Sequence, residues 1–258
     1  MITYILFGTG IILLIKGADY LVDGSSSLAK KFKVPTIVIG LTIVAFGTSM
    51  PELVVNIASA IRNSGDIAFG NIVGSNIVNI LLILGISGII GSLKVQSSTV
   101  WKEIPFSLLA VIVLVVFANA HVLDKLNFNS ILKFEGIVLV LFFIIFLYYV
   151  FGLARKNKLK LDDKKIEIKK YSGGIIFLMI IGGLIALYFG GKWTVDGAIL
   201  IARAFGLSEY FIGLTIVAVG TSLPELVTSI VAAIKKQNDL AVGNIVGSNF
   251  VTLTFVAG

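Results

Sequence analysis

The chain has 258 residues, 57% hydrophobic and 14% charged, with a net charge of +7 and no cysteine; its mean hydropathy is +1.02. A soluble domain carries roughly a quarter charged residues, so this composition predicts a polytopic membrane protein. The missing cysteines exclude a disulfide framework and thiolate metal sites. Most of the basic residues fall between apolar runs and not in one patch, which argues for membrane topology and against a nucleic-acid partner.

At about 20 residues per span, eight helical segments are predicted, near 2–31, 36–61, 67–91, 103–120, 131–152, 173–204, 209–234 and 239–258. The N-terminal apolar run has no basic residue before it, so it reads as a retained first span and not a cleaved signal. The first and sixth segments are long enough to tilt strongly or to extend past the bilayer. Between the fifth and sixth lies RKNKLKLDDKKIEIKK, residues 155–170, the only extended hydrophilic stretch. With this stretch placed in the cytoplasm, inner loops hold fifteen Lys and Arg and outer loops hold four, Arg62, Lys125, Lys133 and Arg203. By the positive-inside rule the N-terminus then faces out.

Residues 39–85 recur as residues 212–258 without a gap, with 28 of 47 aligned positions identical. Five predicted spans precede the linker, and an odd number makes the second copy enter the membrane from the opposite side. The expected fold is therefore all-α, with two inverted-topology repeats. Residues 1–152 form the first repeat, 153–172 a cytoplasmic basic linker, and 173–258 a second repeat that is expected to be incomplete, with about eight helices visible.

Each copy places one glutamate, Glu52 or Glu225, inside an apolar run. A charge at mid-membrane costs about 2.5–3.5 kcal/mol on insertion scales and is by default functional. Beside each glutamate stands a proline, Pro51 or Pro224. Pro51 cannot donate to the Gly47 carbonyl and crowds it, so the helix should break there. A break in hydrocarbon is tolerated only where protein or a water-filled cavity covers it. Freed carbonyls near Ala45, the hydroxyls of Thr48 and Ser49, and the Glu52 carboxylate are hard oxygen ligands, suited to Ca²⁺, Na⁺ or Mg²⁺. The second copy offers Ala218, Thr221, Ser222 and Glu225 in the same register. The stretches 70–76 and 243–249, both GNIVGSN, are expected as a second pair of broken helices; they contain Asn71 and Asn244 and small residues that let helices approach closely. Ser75 with Asn79, and Ser248 with Thr252, are spaced to share a helical face.

GTSMPE and GTSLPE, each followed by GNIVGSN, resemble the two alpha-repeats of the sodium/calcium exchanger branch of the calcium/cation antiporters. The resemblance implies ten spans in an inverted five-plus-five arrangement and alternating access without covalent chemistry. It implies Ca²⁺ ligation by Glu52 and Glu225 with oxygens of Thr48 and Thr221. It implies Na⁺ sites drawing on Ala45, Thr48, Ser75, Ala218, Thr221 and Ser248 with both glutamates. Ser49, Ser222, Asn71, Asn244, Asn79 and Thr252 would line the cavity. The family more often has an aspartate or asparagine where this chain has Thr252. The transported ions would be Ca²⁺ and Na⁺, with protons as competitors and no cofactor; the alternatives are a proton/calcium exchanger and, from another class, a cation channel.

The remaining polar residues receive plainer readings. Asp23 and Asp196 occupy matching VDG positions near span ends and are expected in helix-interface or interfacial contacts and not in ion entry. Asp66 and Asp239 are expected in solvated turns. His121, the only histidine, is expected near the end of a span, and Trp101 and Trp193 are expected as interfacial or packing aromatics.

Overall fold

The structure is a computed structural model that describes residues 2–62, 64–91, 93, 95–119, 133–156, 170–208, 212, 215–216 and 218–257. His121 and most of the 155–170 linker lie outside the described residues, as do the side chains of Asp66 and Ala218. The described chain is helical. Helix α1 is Ile2–Phe32. Helix α2 joins Thr36–Ile39, a π-helical turn Gly40–Val44 and Ala45–Thr48, and α3 is Met50–Ile61. Helix α4 runs from Gly65–Ile77 through a π turn, Val78–Ile83, into Leu84–Ile90. Helix α5 is Thr99–Glu103, again π, with Ile104–Ala118; α6 is Lys133–Lys156 and α7 is Gly173–Ala204. A short α8, Ala218–Gly220, precedes α9, Leu223–Ile234. Helix α10 joins Asn238–Val251 to the π turn Thr252–Val256. Among the described residues six helices are long and apolar enough to cross a membrane, and the bent pair α2–α3 makes a seventh. The chain is a multi-pass membrane protein.

The two copies meet first through α1 and α7. Gly10 lies against Gly190 and Gly17 against Gly183, so the contact register is antiparallel. Shifting by the repeat offset, 225 − 52 = 173, turns the pair 10/190 into 183/17, the same contact seen from the other helix. Equivalent helices that touch in antiparallel register are inverted copies, and the pseudo-twofold axis passes between these two glycine pairs. A Cβ on Gly17 would stand 2.9 Å from the Gly183 carbonyl oxygen, closer than packed atoms tolerate. Glycine is needed here for backbone-to-backbone approach. Gly17→Val should therefore lower the thermal midpoint of the purified protein in detergent, by overpacking worth about 1–3 kcal/mol. At Gly8 on the same helix a Cβ meets nothing within 4 Å among the described residues, and Gly8→Ala should melt with the parent.

The central helix is α10, 83% buried along its span where none of the other five unbent spans exceeds 33%. Helices α5 and α6 cover one side of it: Phe250 stacks on Phe146 at 4.2 Å and on Phe106 at 5.1 Å between ring centroids. Their other faces turn Leu108, Ile112, Ile137, Ile144 and Tyr148 outward, the arrangement expected of a lipid-facing surface. Trp101 is likewise exposed, whereas the Trp193 ring lies 5.9 Å from that of Phe189.

Two expectations need correction. The stretches 70–76 and 243–249 are unbroken α-helix. Neither contains proline, so every backbone amide there can keep its helical partner, and glycine alone does not open the ladder. The irregularity comes just after them, in the π turns 78–83 and 252–256, a feature often found at functional sites. Asp239 is not in a solvated turn; it stands in the first turn of α10, where Gln96 Nε2 donates to its carboxylate at 2.6 Å.

Candidate functional site

The site forms where α2 gives way to α3 and where α8 gives way to α9. The α2 and α3 axes meet at 45°, with Ser49 as the joint (φ −79°, ψ 8°) and Pro51 in the first turn of α3. Ser222 (φ −86°, ψ 7°) and Pro224 repeat this geometry before α9. Proline fits the first turn because the amide it lacks would have no helical partner there. Glu52 and Glu225 consequently sit in the first turns of α3 and α9, where the positive end of the helix dipole favours a negative charge.

Both glutamates are buried, with 1% and 0% of their surface exposed. Each is held by a hydroxyl from the other repeat: Ser49 Oγ donates to Glu225 Oε1 at 2.9 Å, and Ser222 Oγ donates to Glu52 Oε1 at 3.2 Å. The surrounding bonds are mirrored as well. Asn71 Nδ2 donates to the Glu52 carbonyl at 3.4 Å and to Asn56 Oδ1 at 3.0 Å. Asn244 Nδ2 donates to the Glu225 carbonyl at 3.4 Å and to Ser229 Oγ at 3.0 Å. Thr48 Oγ1 donates to Asn244 Oδ1 at 3.1 Å, and Thr221 Oγ1 to Asn71 Oδ1 at 3.5 Å. Ser248 Oγ lies 3.4 Å from the Ala45 carbonyl oxygen and 3.5 Å from Glu225 Oε1.

A second polar layer crosses the repeats on the side of α4 and α10. Asn76 Nδ2 donates to Thr252 Oγ1 at 2.7 Å, and Asn79 Nδ2 donates to Asn249 Oδ1 at 2.9 Å. These two bonds exchange under the 173-residue shift. Thr252 thus answers Asn76, not Asn79, although Asn79 is its equivalent. The Ser75 hydroxyl turns back to the Ile72 carbonyl of its own helix at 3.1 Å. Ala218 lies in α8. The residues that sequence reasoning missed are Asn56, Ser229, Asn76 and Asn249. Asn56 and Ser229 stand one helical turn beyond the glutamates at matching positions of apolar helices, and that coincidence was available to be read.

No hydrogen bond among the described residues reaches Glu52 Oε2, Glu225 Oε2 or Asn79 Oδ1, all buried. A buried ionised oxygen without a partner is costly; hydroxyls satisfy one oxygen of each carboxylate and leave the other free for a cation. Among the described residues no group of three or more His, Cys, Asp or Glu gathers. The available ligands are two carboxylates and neutral oxygens from hydroxyls, amides and carbonyls, a set that selects hard cations such as Ca²⁺ and Na⁺.

Comparisons with known proteins agree with this chemistry. Residues 2–152 and 175–258 match the family described as sodium/calcium exchanger protein. The chain is 35% identical over 255 residues to inner membrane protein YrbG of Escherichia coli (strain K12), covering 96% of this chain and 76% of that protein. It is 31% identical over 290 residues to sodium/calcium exchanger MaX1 of Methanosarcina acetivorans, covering 100% of this chain and 82% of the relative. A structure of the sodium-calcium exchanger NCX_Mj, soaked with Na⁺ and Ca²⁺, superposes with a TM-score of 0.83 at 32% identity, covering 100% of this chain and 81% of that one. The paired carboxylates, the inverted copies and these likenesses place the chain in the sodium/calcium exchanger protein family.

Proposed function

We propose that this protein exchanges Ca²⁺ for Na⁺ across a cell membrane by alternating access. The observation that carries the reading is the mirrored pair of buried glutamates, each with one oxygen held by the opposite repeat and one that receives no hydrogen bond among the described residues. Ca²⁺ is ligated by Glu52 and Glu225 with oxygens of Thr48 and Thr221. Na⁺ ions use the Ala45 and Ala218 carbonyls, the hydroxyls of Thr48, Thr221, Ser75 and Ser248, and both glutamates. One cation set must leave before the other enters, because both need the same two carboxylates; this exclusion couples the fluxes, and the inverted halves supply access from alternate sides. The test is Ca²⁺ uptake by proteoliposomes holding the full chain under an imposed Na⁺ gradient. Uptake that rises with the gradient and exchanges with Ca²⁺ on the far side supports a carrier. Downhill flux indifferent to the gradient overturns it in favour of a channel.

The site charge gives a further expectation. Two carboxylates balance one Ca²⁺, whereas three Na⁺, the number implied by the family resemblance, leave one positive charge. Exchange should therefore be electrogenic, and an imposed membrane potential should change its rate. Thr252→Asp adds a carboxylate beside Asn76, within the crossed amide layer. It should shift the Na⁺ titration of exchange or its pH profile; a variant identical to the parent in both would separate this layer from the ions.

The proposed orientation has the N-terminus outside and the 153–172 linker in the cytoplasm, and it rests on the fifteen-to-four asymmetry of basic residues. Single cysteines at Asn63 and Lys164 test it in a chain that has none of its own. An impermeant thiol reagent on intact cells should label position 63 and spare 164; the reverse pattern would invert the topology.

A further inference from the structure

The two copies match at the ion site, but they differ on either side of it. At the C-terminal end of α9, Lys235 Nζ lies 2.6 Å from Asp19 Oδ1 and 2.6 Å from Asp23 Oδ1, and it also donates to the Asp19 carbonyl at 3.2 Å. Asp19 and Asp23 are one turn apart on α1, so a single ammonium bridges both and ties α1 of the first repeat to α9 of the second. Partial burial works against the Lys235 charge, but the hydrogen bonds and charges of the two aspartates outweigh it and raise its pKa. The lysine is therefore charged throughout the physiological range.

The 173-residue shift carries Lys235 to Arg62, Asp23 to Asp196 and Asp19 to Lys192. Arg62, Lys192 and Asp196 are all exposed, and among the described residues the ion pairs at these mirrored positions are those of Lys235. A cavity of about 210 Å³ opens at Lys192 and Asp196, lined also by Pro51, Val55, Val195 and Pro224. It reaches Thr221, at the edge of the ion site. The counterparts of Val195 and Val55 on the Lys235 side are Val22 and Thr228, and both are 0% exposed. One entrance is open and its mirror image is closed, with the ion pairs on the closed side.

We propose that Lys235, Asp19 and Asp23 are an ion-pair latch that holds one entrance shut while the other is open, and that Arg62 with Asp196 is the mirror latch that closes the opposite entrance. This rests on the exchanger reading, which alone requires the two entrances to alternate. The mirror latch is the weaker, because Lys192 stands where the first latch has a second carboxylate. Partly exposed ion pairs suit a latch because they bias a two-state equilibrium without locking it.

The test uses two single cysteines in the purified full chain, Val195→Cys in the open cavity and Val22→Cys in its closed counterpart, each titrated with a maleimide. In the parent background the first should react quickly and the second slowly. Lys235→Met should raise Val22→Cys reactivity and lower Val195→Cys reactivity, changing the ratio of the two by about fivefold, the shift that an ion pair at the upper end of the exposed range can produce. Asp19→Asn with Asp23→Asn should reproduce this shift if Lys235→Met fails to fold, and Lys235→Arg should resemble the parent. Unchanged reactivity in both latch variants overturns the proposal, as does a rise at both positions, which would report loosening and not alternation. The readout needs no ion movement. Opposite thiol shifts without coupled flux would uphold the latch and overturn the exchanger reading; coupled flux with unmoved thiols would do the reverse.

Discussion

Glu52→Gln or Glu225→Gln should abolish Na⁺-driven Ca²⁺ uptake while the protein stays folded. Glutamine keeps the shape of glutamate, and the Ser222 and Ser49 hydroxyls can still donate to its amide oxygen, so the contacts of Oε1 survive. What changes is the other arm. The Oε2 of each glutamate, which receives no hydrogen bond among the described residues, becomes an NH₂ group, a donor aimed at the place where a cation needs an acceptor. Removing one member of a buried ion pair costs about 3–5 kcal/mol, and each 1.4 kcal/mol is about tenfold in affinity, so uptake at fixed Ca²⁺ should fall at least about a hundredfold. Both substitutions should act alike, because each removes one of two carboxylates that are held in the same way by the serine of the other repeat. A thermal melt gives an independent reading. A ligand at a hundred times its Kd stabilises a protein by about 2.7 kcal/mol, so Ca²⁺ should raise the midpoint of the parent and leave both variants where they were. Uptake near the parental rate in either variant would remove that carboxylate from the ion path.

Most of this site was legible because the sequence states it twice. A glutamate beside a proline in one apolar run admits many readings; the same pair repeated in an inverted copy implies two acids brought together on an axis. The 45° bend at Ser49 follows from the missing amide of Pro51. Other features could not be read from spacing. Ser49 and Ser222 were expected to line the cavity with oxygen ligands of their own copy, yet each bonds the glutamate of the other repeat, a contact that depends on how the copies dock. Asn79 and Thr252 hold equivalent positions in the two copies, but the docking crosses the pairs, so that each bonds the other copy's GSN asparagine. Helical periodicity gives the face on which a residue lies, and leaves open which residue of another helix it meets. The π turns at 78–83 and 252–256 are equally silent in the sequence, since they follow from small shifts in backbone bonding with no proline to announce them. The breaks expected in GNIVGSN did not form, and the role of its glycines in α10 is to admit a neighbouring backbone.

That role leads to a second large effect. Gly247→Ala should lower both the stability of the protein and its transport, although it adds only one methyl group. A Cβ at Gly247 would stand 2.7 Å from Ala45 Cβ and 2.8 Å from both the Cα and the carbonyl oxygen of Leu41. These neighbours are backbone, or fixed to it, and cannot swing aside as the end of a long side chain could. Gly243, one turn earlier, is equally close: its Cβ would lie 2.8 Å from the Ile37 carbonyl oxygen. The two glycines let α2 rest directly on α10, and this contact sets Thr48 Oγ1 at 3.1 Å from Asn244 Oδ1 and the Ala45 carbonyl oxygen at 3.4 Å from Ser248 Oγ. If the methyl group lifts α2, it carries Thr48 and Ser49 away from the partners that hold Glu225. Overpacking of this kind costs about 1–3 kcal/mol, which a melt in detergent would register, and the displaced oxygens would lose the short spacing that hard cations demand. Gly247→Ala should melt well below the parent and take up little Ca²⁺; melting with the parent would mean that α2 does not rest on α10 as the structure has it.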